Sequence, residues 1–272
     1  MANITPTNVS PTPETEDDSA QGRMSFFEHL AELRTRIIQA LIGIAIGAGI
    51  GLAFSQKFVN LITAPMLLAL KQNGLNPSLY VRAPTDAVGL WINVGVYMGV
   101  GIAMPWVLYQ VWLFVAPGLY KHERRALTSF IFFGTLLFAL GVAFAYFIML
   151  PQMLDFLVHF TTEFSLQPLI DVDEYLKLIL IVLAGIGIIF EMPVVVYILS
   201  LFGWVTPKFL IKNFRYAMLI ITVAAAIITP TPDATTMLVF MLPMVGLYFV
   251  SVLVSYLVVK RKRAKETAQA TV

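Results

Sequence analysis

Residues 175–202 read YLKLILIVLAGIGIIFEMPVVVYILSLF, a stretch of 28 residues with two charged side chains, Lys177 and Glu191. A helix needs about 20 mostly apolar residues to cross the hydrocarbon core of a bilayer. The rest of the chain has the same character, because 58% of its 272 residues are hydrophobic and only 12% are charged. An ordinary soluble domain carries about twice that share of charge. The sequence therefore predicts an all-α membrane protein.

Six apolar stretches predict six transmembrane helices. They run approximately over Ile37–Phe54, Ala87–Val107, Ala126–Leu150, Tyr175–Phe202, Tyr216–Thr229 and Ala234–Val259. The fifth stretch is short for a span, and it ends at a Thr-Pro-Thr-Pro sequence. We predict three regions: a disordered tail over 1–22, a six-helix transmembrane domain over 23–259 and a basic cytoplasmic tail over 260–272.

The distribution of Lys and Arg predicts the orientation of the chain. Fourteen of the 18 basic residues fall into four groups on one side of the predicted spans. Basic residues in short loops mark the cytoplasmic side of a membrane protein. Both termini are therefore predicted to be cytoplasmic, and the basic residues are assigned to orientation rather than to nucleic-acid binding.

Several kinds of chemistry lack the residues they need. The chain has no cysteine, and its three histidines are scattered without metal-ligand spacing. No HExxH, GxSxG or nucleotide-binding loop is present. We therefore predict neither an enzyme nor a bound metal or cofactor.

Two cytoplasmic stretches carry candidate binding residues. The first, SFFEHLAELRTR over residues 25–36, predicts an amphipathic helix that leads into the first span. Glu32 and Arg36 have the i,i+4 spacing of an ion pair, so an interfacial anchor is one interpretation and a binding site another. The second stretch, residues 105–125, reads PWVLYQVWLFVAPGLYKHERR and contains one acid, Glu123. That carboxylate either pairs with its basic neighbours or receives a cationic ligand.

Two further acids and a set of glycines stand out in the apolar segments. Glu191 lies deep in the fourth span, where a carboxylate must face protein or water, and Pro193 predicts a kink beside it. A structural role and a partner-docking or proton-relay role remain equally open for Glu191. Asp233 is placed to cap the sixth helix. Glycines spaced by four residues in the first and second spans permit close helix approach; they are Gly43, Gly47, Gly51, Gly95 and Gly99.

Taken together, these segments resemble the TatC family, the core receptor subunit of the twin-arginine protein translocase. The resemblance covers the chain from about Met24 to Val259. It is carried by HLAELRTR (29–36), YQVWLFVAPGLYKHERR (109–125), FAYF (144–147), FEMP (190–193) and TPTPD (229–233). Met237 departs from the pattern, because the family often has a glutamine there.

The resemblance implies a curved, concave bundle of six helices in the bacterial inner membrane. It also implies recognition of signal peptides with paired arginines and export of folded proteins, driven by the proton-motive force without a cofactor. The implied partners are single-span TatA- and TatB-like proteins, further copies of the chain and membrane lipids. Glu32 and Glu123 match the carboxylates that receive the arginine pair, and Arg34 and Phe114 match residues tied to that site. Glu191 matches a residue that holds a partner helix, and Pro65 and Asp233 match further family positions.

Two other functions compete with the receptor. A proton-coupled transporter of small solutes could use Glu191 beside a helix broken by proline. Against it, the sequence contains no internal pseudo-repeat and one deeply placed acid. A scaffold without any ligand is the third alternative.

Overall fold

The computed structural model describes residues 26–115, 126–164, 168–229 and 233–270, with side chains over 30–115, 131–164, 168–229 and 233–264. Within these ranges the chain is helical, and its one β-type contact is an isolated bridge between Tyr80 and Asp171. The helices are α1 (Phe26–Gln72), α2 (Pro84–Val115), α3 (Ala126–Phe144), α4 (Leu150–Glu163), α5 (Val172–Phe190), α6 (Met192–Leu201), α7 (Pro207–Lys212), α8 (Phe214–Ile228) and α9 (Ala234–Ala270), with a π-helical turn (Ala145–Met149) joining α3 to α4. The all-α prediction is confirmed.

Five helical stretches are long and apolar enough to cross a membrane. They are Leu30–Gln72, Pro84–Val115, Ile131–Glu163, Val172–Leu201 and Ala234–Ala264. The remaining predicted span corresponds to α8, which has 15 residues. At 1.5 Å per residue α8 is about 22 Å long, which is shorter than a hydrocarbon core of about 30 Å. The predicted shortness of this segment is confirmed.

The helices extend beyond the apolar stretches that predicted them. Helix α1 continues past Phe54 to Gln72, so Pro65 lies inside a helix and not in an outer connection. Helix α2 likewise runs through Pro105 to Val115, beyond Val107, the predicted end of the second span. Polar residues mark where a helix stops being apolar enough for the hydrocarbon core, but they do not interrupt the backbone hydrogen bonds of the helix. The end of a span is therefore a poor guide to the end of a helix.

Helices α1 and α2 pack against each other along the predicted glycines. A Cβ added to Gly51 would collide with the carbonyl of Gly95, and one added to Gly47 would collide with the carbonyl of Gly99. The sequence numbers run in opposite directions along these contacts, so the two helices are antiparallel. Their backbones touch because these positions have no side chains, and the predicted close approach is confirmed.

Pro65 interrupts the hydrogen bonding of α1, and a side chain from another segment compensates. A proline has no N–H, so the carbonyl of Leu61, four residues earlier, loses its usual donor. The hydroxyl of Tyr146 donates to the Leu61 oxygen at 2.7 Å. Tyr146 reaches it from the π-helical turn, and at the next residue of α1 the hydroxyl of Tyr175 donates to the Ile62 oxygen, also at 2.7 Å.

The outer end of the bundle is also held together by backbone hydrogen bonds and an ion pair. The Tyr80 N–H donates to the Ile170 oxygen, and the Tyr80 oxygen accepts from the Val172 N–H, both at 2.9 Å. The carboxylate of Asp171 caps α5 and pairs with Arg82 at 3.0 Å. Asp171 therefore has a structural role at this end of the bundle.

Candidate functional site

The inner end of α1 carries a partly buried ion pair. Glu32 and Arg36 lie one turn apart, and Arg36 Nη2 donates to Glu32 Oε1 at 3.1 Å. Arg36 Nη1 also donates to Gln39 Oε1 at 3.4 Å. The Glu32 side chain is only 14% exposed, so solvent screens its charge less than it would at an open surface. The predicted Glu32–Arg36 pair is confirmed.

A cleft of about 340 Å³ lies beside this pair, between α1 and α2. Its walls are Arg36, Gln39, Ile42, Trp106, Tyr109, Gln110 and Leu113. The indole N–H of Trp106 donates to the Gln39 backbone oxygen at 2.9 Å, and the ring packs where Gly43 has no side chain. This contact fixes one aromatic wall, and the Tyr109 ring lies 5.5 Å from the Trp106 ring.

The antiparallel register brings Phe114 to the level of Glu32. Gly51 lies opposite Gly95 and Gly47 opposite Gly99, so each step toward the inner end of α1 matches one step toward the end of α2. Continuing that register sets Phe114 beside Glu32 along the helix axis. Two residues that were assigned to one site on resemblance alone therefore share the same end of the same helix pair.

Three polar atoms at this end are buried and lack a hydrogen-bond partner among the described residues. They are Glu32 Oε2, Arg36 Nε and Gln110 Oε1. Leaving such an atom unsatisfied costs about 1–3 kcal/mol, and more for charged groups. This end of the helix pair therefore holds a carboxylate oxygen, an amide oxygen and a guanidinium N–H that the described chain does not use, and Arg36 and Gln110 also line the cleft.

Arg34 lies on a different face of α1 from Glu32. It is exposed and lines a second depression on α1, which adjoins the cleft at Gln39 and Ile42. Two residues span about 200° around a helix, so this separation follows from the periodicity. The structure does not bring Arg34 to the carboxylate. Glu123 lies outside the described residues.

Glu191 occupies the break between α5 and α6. It ends α5, and its N–H donates to the Ile188 oxygen at 3.1 Å, while Pro193 follows at the start of α6. The predicted kink beside Pro193 is confirmed. The residue is 7% exposed, and neither carboxylate oxygen has a hydrogen-bond partner among the described residues. A purely structural hydrogen bond to a neighbouring helix, one of the two interpretations, is thus not formed within that part of the chain.

Space for the Glu191 carboxylate comes from a glycine on α3. A Cβ added to Gly134 would lie 3.2 Å from Glu191 Oε2 and 3.1 Å from Leu108 Cδ1. The carboxylate therefore lies where α2, α3 and the α5–α6 break meet. The sequence predicted that this carboxyl faces protein or water, and in the described residues it faces protein.

Asp233 and Pro65 have structural roles away from the cleft. Asp233 Oδ2 accepts from the Thr236 N–H at 2.6 Å, which confirms the predicted cap of the last helix. Pro65 lies at the far end of α1, beside the tyrosine hydroxyls described above.

Gln110 is the site residue that the sequence analysis did not single out. It is 2% exposed, and it stands among apolar and aromatic residues in WVLYQVWLF, residues 106–114. An amide in such a run near a membrane surface is a signal that could have found it.

Fold and site together define a multi-pass α-helical membrane protein with a polar cleft at one end of its first two helices. Some of the buried polar atoms at this end have no hydrogen-bond partner among the described residues. The family model of the Sec-independent protein translocase protein (TatC) matches residues 28–243. A TatC protein of Koribacter versatilis (strain Ellin345) is 43% identical over 242 residues, which is 89% of each chain. A TatC protein of Aquifex aeolicus (strain VF5) is 35% identical over 246 residues, covering 90% of this chain and 100% of the relative.

Solved structures agree with the sequence comparisons. The crystal structure of a twin-arginine translocase receptor, TatC, superimposes with a TM-score of 0.72 at 36% identity, covering 85% of this chain and 99% of that one. The same receptor in the detergent DDM gives a TM-score of 0.73. The chain belongs to the TatC family and is a multi-pass protein of the bacterial inner membrane.

Proposed function

We propose that this chain is the receptor and core subunit of a twin-arginine translocase. It binds signal peptides that carry paired arginines at the inner end of α1 and α2. It then helps to move folded proteins across the inner membrane with energy from the proton-motive force. The receptor role is non-catalytic, and both termini lie in the cytoplasm.

The observation that carries this proposal is the state of the Glu32 carboxylate. One oxygen is held by Arg36, while the other is buried without a partner among the described residues. A guanidinium group donates to carboxylate oxygens through a planar fork, which a lysine ammonium lacks. The buried, unpaired Oε2 atom of Glu32 therefore favours arginine as the ligand.

Glu123 supplies the second carboxylate in this proposal. It follows α2 in the sequence, eight residues after the last residue of that helix, Val115. Two carboxylates on separate elements suit two adjacent arginines. Phe114 forms an apolar boundary beside Glu32, and Arg34 acts from the adjoining depression that it lines.

Glu191 is proposed as the docking point for a partner helix. Its unsatisfied carboxylate at bilayer depth would accept a hydrogen bond from a polar side chain of a TatA- or TatB-like single-span protein. Pro65 and Asp233 keep the long helices in the geometry that these contacts require. Further copies of the chain complete the assembly within the lipid bilayer.

The transporter alternative lacks a supporting observation. A proton-coupled carrier needs a path of polar groups across the membrane. Among the described side chains, Glu191 is the one carboxylate that is buried in the middle of a span. Solute uptake into proteoliposomes that disappears with Glu191→Gln would favour the transporter.

The test is the binding of a synthetic twin-arginine signal peptide and its twin-lysine variant to the protein in nanodiscs. We expect lysine to weaken binding about tenfold and Glu32→Ala or Glu123→Ala to weaken it about 10- to 100-fold, the range for hydrogen bonds to charged groups. Glu163→Ala is the control, because Glu163 is an exposed acid at the far end of α4. Unchanged binding and export in the Glu32→Ala/Glu123→Ala double variant would disprove the proposal.

A further inference from the structure

Gln110 is the most deeply buried polar side chain of the cleft. The residue is 2% exposed, it lines the cleft, and its Oε1 atom has no hydrogen-bond partner among the described residues. Gln39, the other amide in the cleft, differs in this respect, because its Oε1 accepts from Arg36. One amide is thus used by the chain itself, while the other is left with an open acceptor.

The open acceptor specifies the chemistry of a ligand. An amide oxygen accepts N–H or O–H donors, and the second buried acceptor at this end of the helix pair is Glu32 Oε2. A group that serves two acceptors on different helices needs several donors in a fixed arrangement. Guanidinium has five N–H donors in one plane, and it also stacks on aromatic rings. Trp106 and Tyr109 provide such rings in the same cleft.

We propose that Gln110 is a specificity-determining residue whose amide oxygen accepts from the same ligand arginine as Glu32. This inference rests on the proposed receptor function and adds to it a neutral second acceptor on α2. Glu32 supplies the charge that attracts either basic residue. Gln110 supplies a second, directional contact, which suits the guanidinium because its donors are spread over three nitrogens, whereas the ammonium has all its donors on one nitrogen. Gln110 therefore contributes more to the discrimination between arginine and lysine than to the overall affinity for the peptide.

The deciding variant is Gln110→Met, which keeps the length of the side chain and removes the acceptor. In nanodiscs, we expect the twin-arginine peptide to bind about tenfold more weakly and the twin-lysine peptide to change by less than about twofold. Gln110→Glu retains an acceptor oxygen and should bind the twin-arginine peptide within about threefold of the original protein. Gln56→Met is the matched control, since Gln56 is an exposed glutamine of α1 on the far side of the glycine contacts.

Thermal unfolding separates a ligand contact from a structural role. Replacing an unsatisfied buried acceptor by an apolar group of similar shape is neutral or stabilising, so Gln110→Met should unfold at the same temperature or higher while binding less well. Equal losses for both peptides together with a lower unfolding temperature would overturn the inference.

The outcome also distinguishes this inference from the receptor function. If the original protein prefers arginine and Gln110→Met retains that full preference, the inference is wrong and the receptor function stands. If the original protein binds both peptides equally, the receptor function fails, and the inference fails with it.

Discussion

The polar groups at the two ends of α1 differ in whether the chain itself satisfies their hydrogen bonds. At the outer end, Pro65 deprives the Leu61 carbonyl of its donor, and Tyr146 replaces that donor from another segment. At the inner end, Glu32 Oε2 and Gln110 Oε1 are buried without partners among the described residues. The same helix thus connects a region where the described hydrogen bonds are satisfied within the chain to one where buried acceptors have no partner among the described residues.

This difference separates stability from binding. Groups that are satisfied within the chain contribute to folding, and their loss should lower stability without changing ligand affinity. Groups left open cost stability and are available to a ligand. Substitutions along α1 and its neighbours should therefore fall into two classes according to which end they touch.

The largest effect is expected from a substitution that changes both stability and peptide binding, and it therefore belongs to neither class. Gly99 lies in the contact between α1 and α2, where a Cβ would collide with the backbone of Ala48. Backbone cannot move aside as a side chain can, so Gly99→Ala should destabilise the protein by about 2–3 kcal/mol. It should also weaken twin-arginine peptide binding about tenfold, because the cleft lies between the same helices.

Gly101→Ala is the control on the same helix, since nothing lies within 4 Å of its added Cβ. Unfolding temperature in detergent and peptide binding in nanodiscs are the measurements. Similar behaviour of the two alanine variants would mean that the glycine contact does not hold the helices together.

A smaller effect, confined to stability, is expected at the outer end. Tyr146→Phe removes the donor to the Leu61 carbonyl and should cost about 1–2 kcal/mol, with peptide affinity unchanged. Pro65→Ala restores the backbone N–H, so Tyr146→Phe should cost much less in that background, as a double-mutant cycle would measure. Tyr97→Phe serves as a control because Tyr97 is an exposed tyrosine of α2. Equal costs in both backgrounds would refute the pairing of Pro65 with Tyr146.

The smallest effect sharpens the comparison at the inner end. Arg36→Gln releases Glu32 Oε1 and removes a positive charge next to the incoming arginine. The i,i+4 pair is worth about 0.3–0.5 kcal/mol, so we expect twin-arginine peptide to bind roughly two- to threefold more tightly, measured in nanodiscs. Arg82→Gln, in an ion pair at the far end of the bundle, should leave affinity unchanged. Weaker binding in Arg36→Gln would mean that Arg36 positions Glu32 rather than competing for it.

The sequence predicted what depends on local composition. The number of apolar segments, the glycine contacts of α1 and α2, the kink at Glu191 and the cap at Asp233 each follow from residues close together in the chain. The Glu32–Arg36 pair is also local, because helical periodicity alone brings positions i and i+4 together.

Features that depend on distant residues were not predictable. Pro65 was not predicted to lie in a helix, because it follows Phe54, the predicted end of the first span. Nothing near it in the sequence indicates that Tyr146, 85 residues beyond Leu61, replaces the missing donor. The open amide of Gln110 was missed because satisfaction of a hydrogen bond depends on every neighbour, and the neighbours come from other helices. Arg34 was grouped with Glu32 by resemblance, although helical periodicity sets their side chains on different faces.

The Pro65–Tyr146 arrangement has a consequence for how such a chain can evolve. If the tyrosine is lost first, the carbonyl of Leu61 stays unpaired in lipid and selection acts against the intermediate. If the proline is lost first, the new residue supplies a backbone N–H to the Leu61 carbonyl, and the tyrosine hydroxyl becomes dispensable. Mutational history at these two positions should therefore run in one direction, with the proline replaced before the tyrosine.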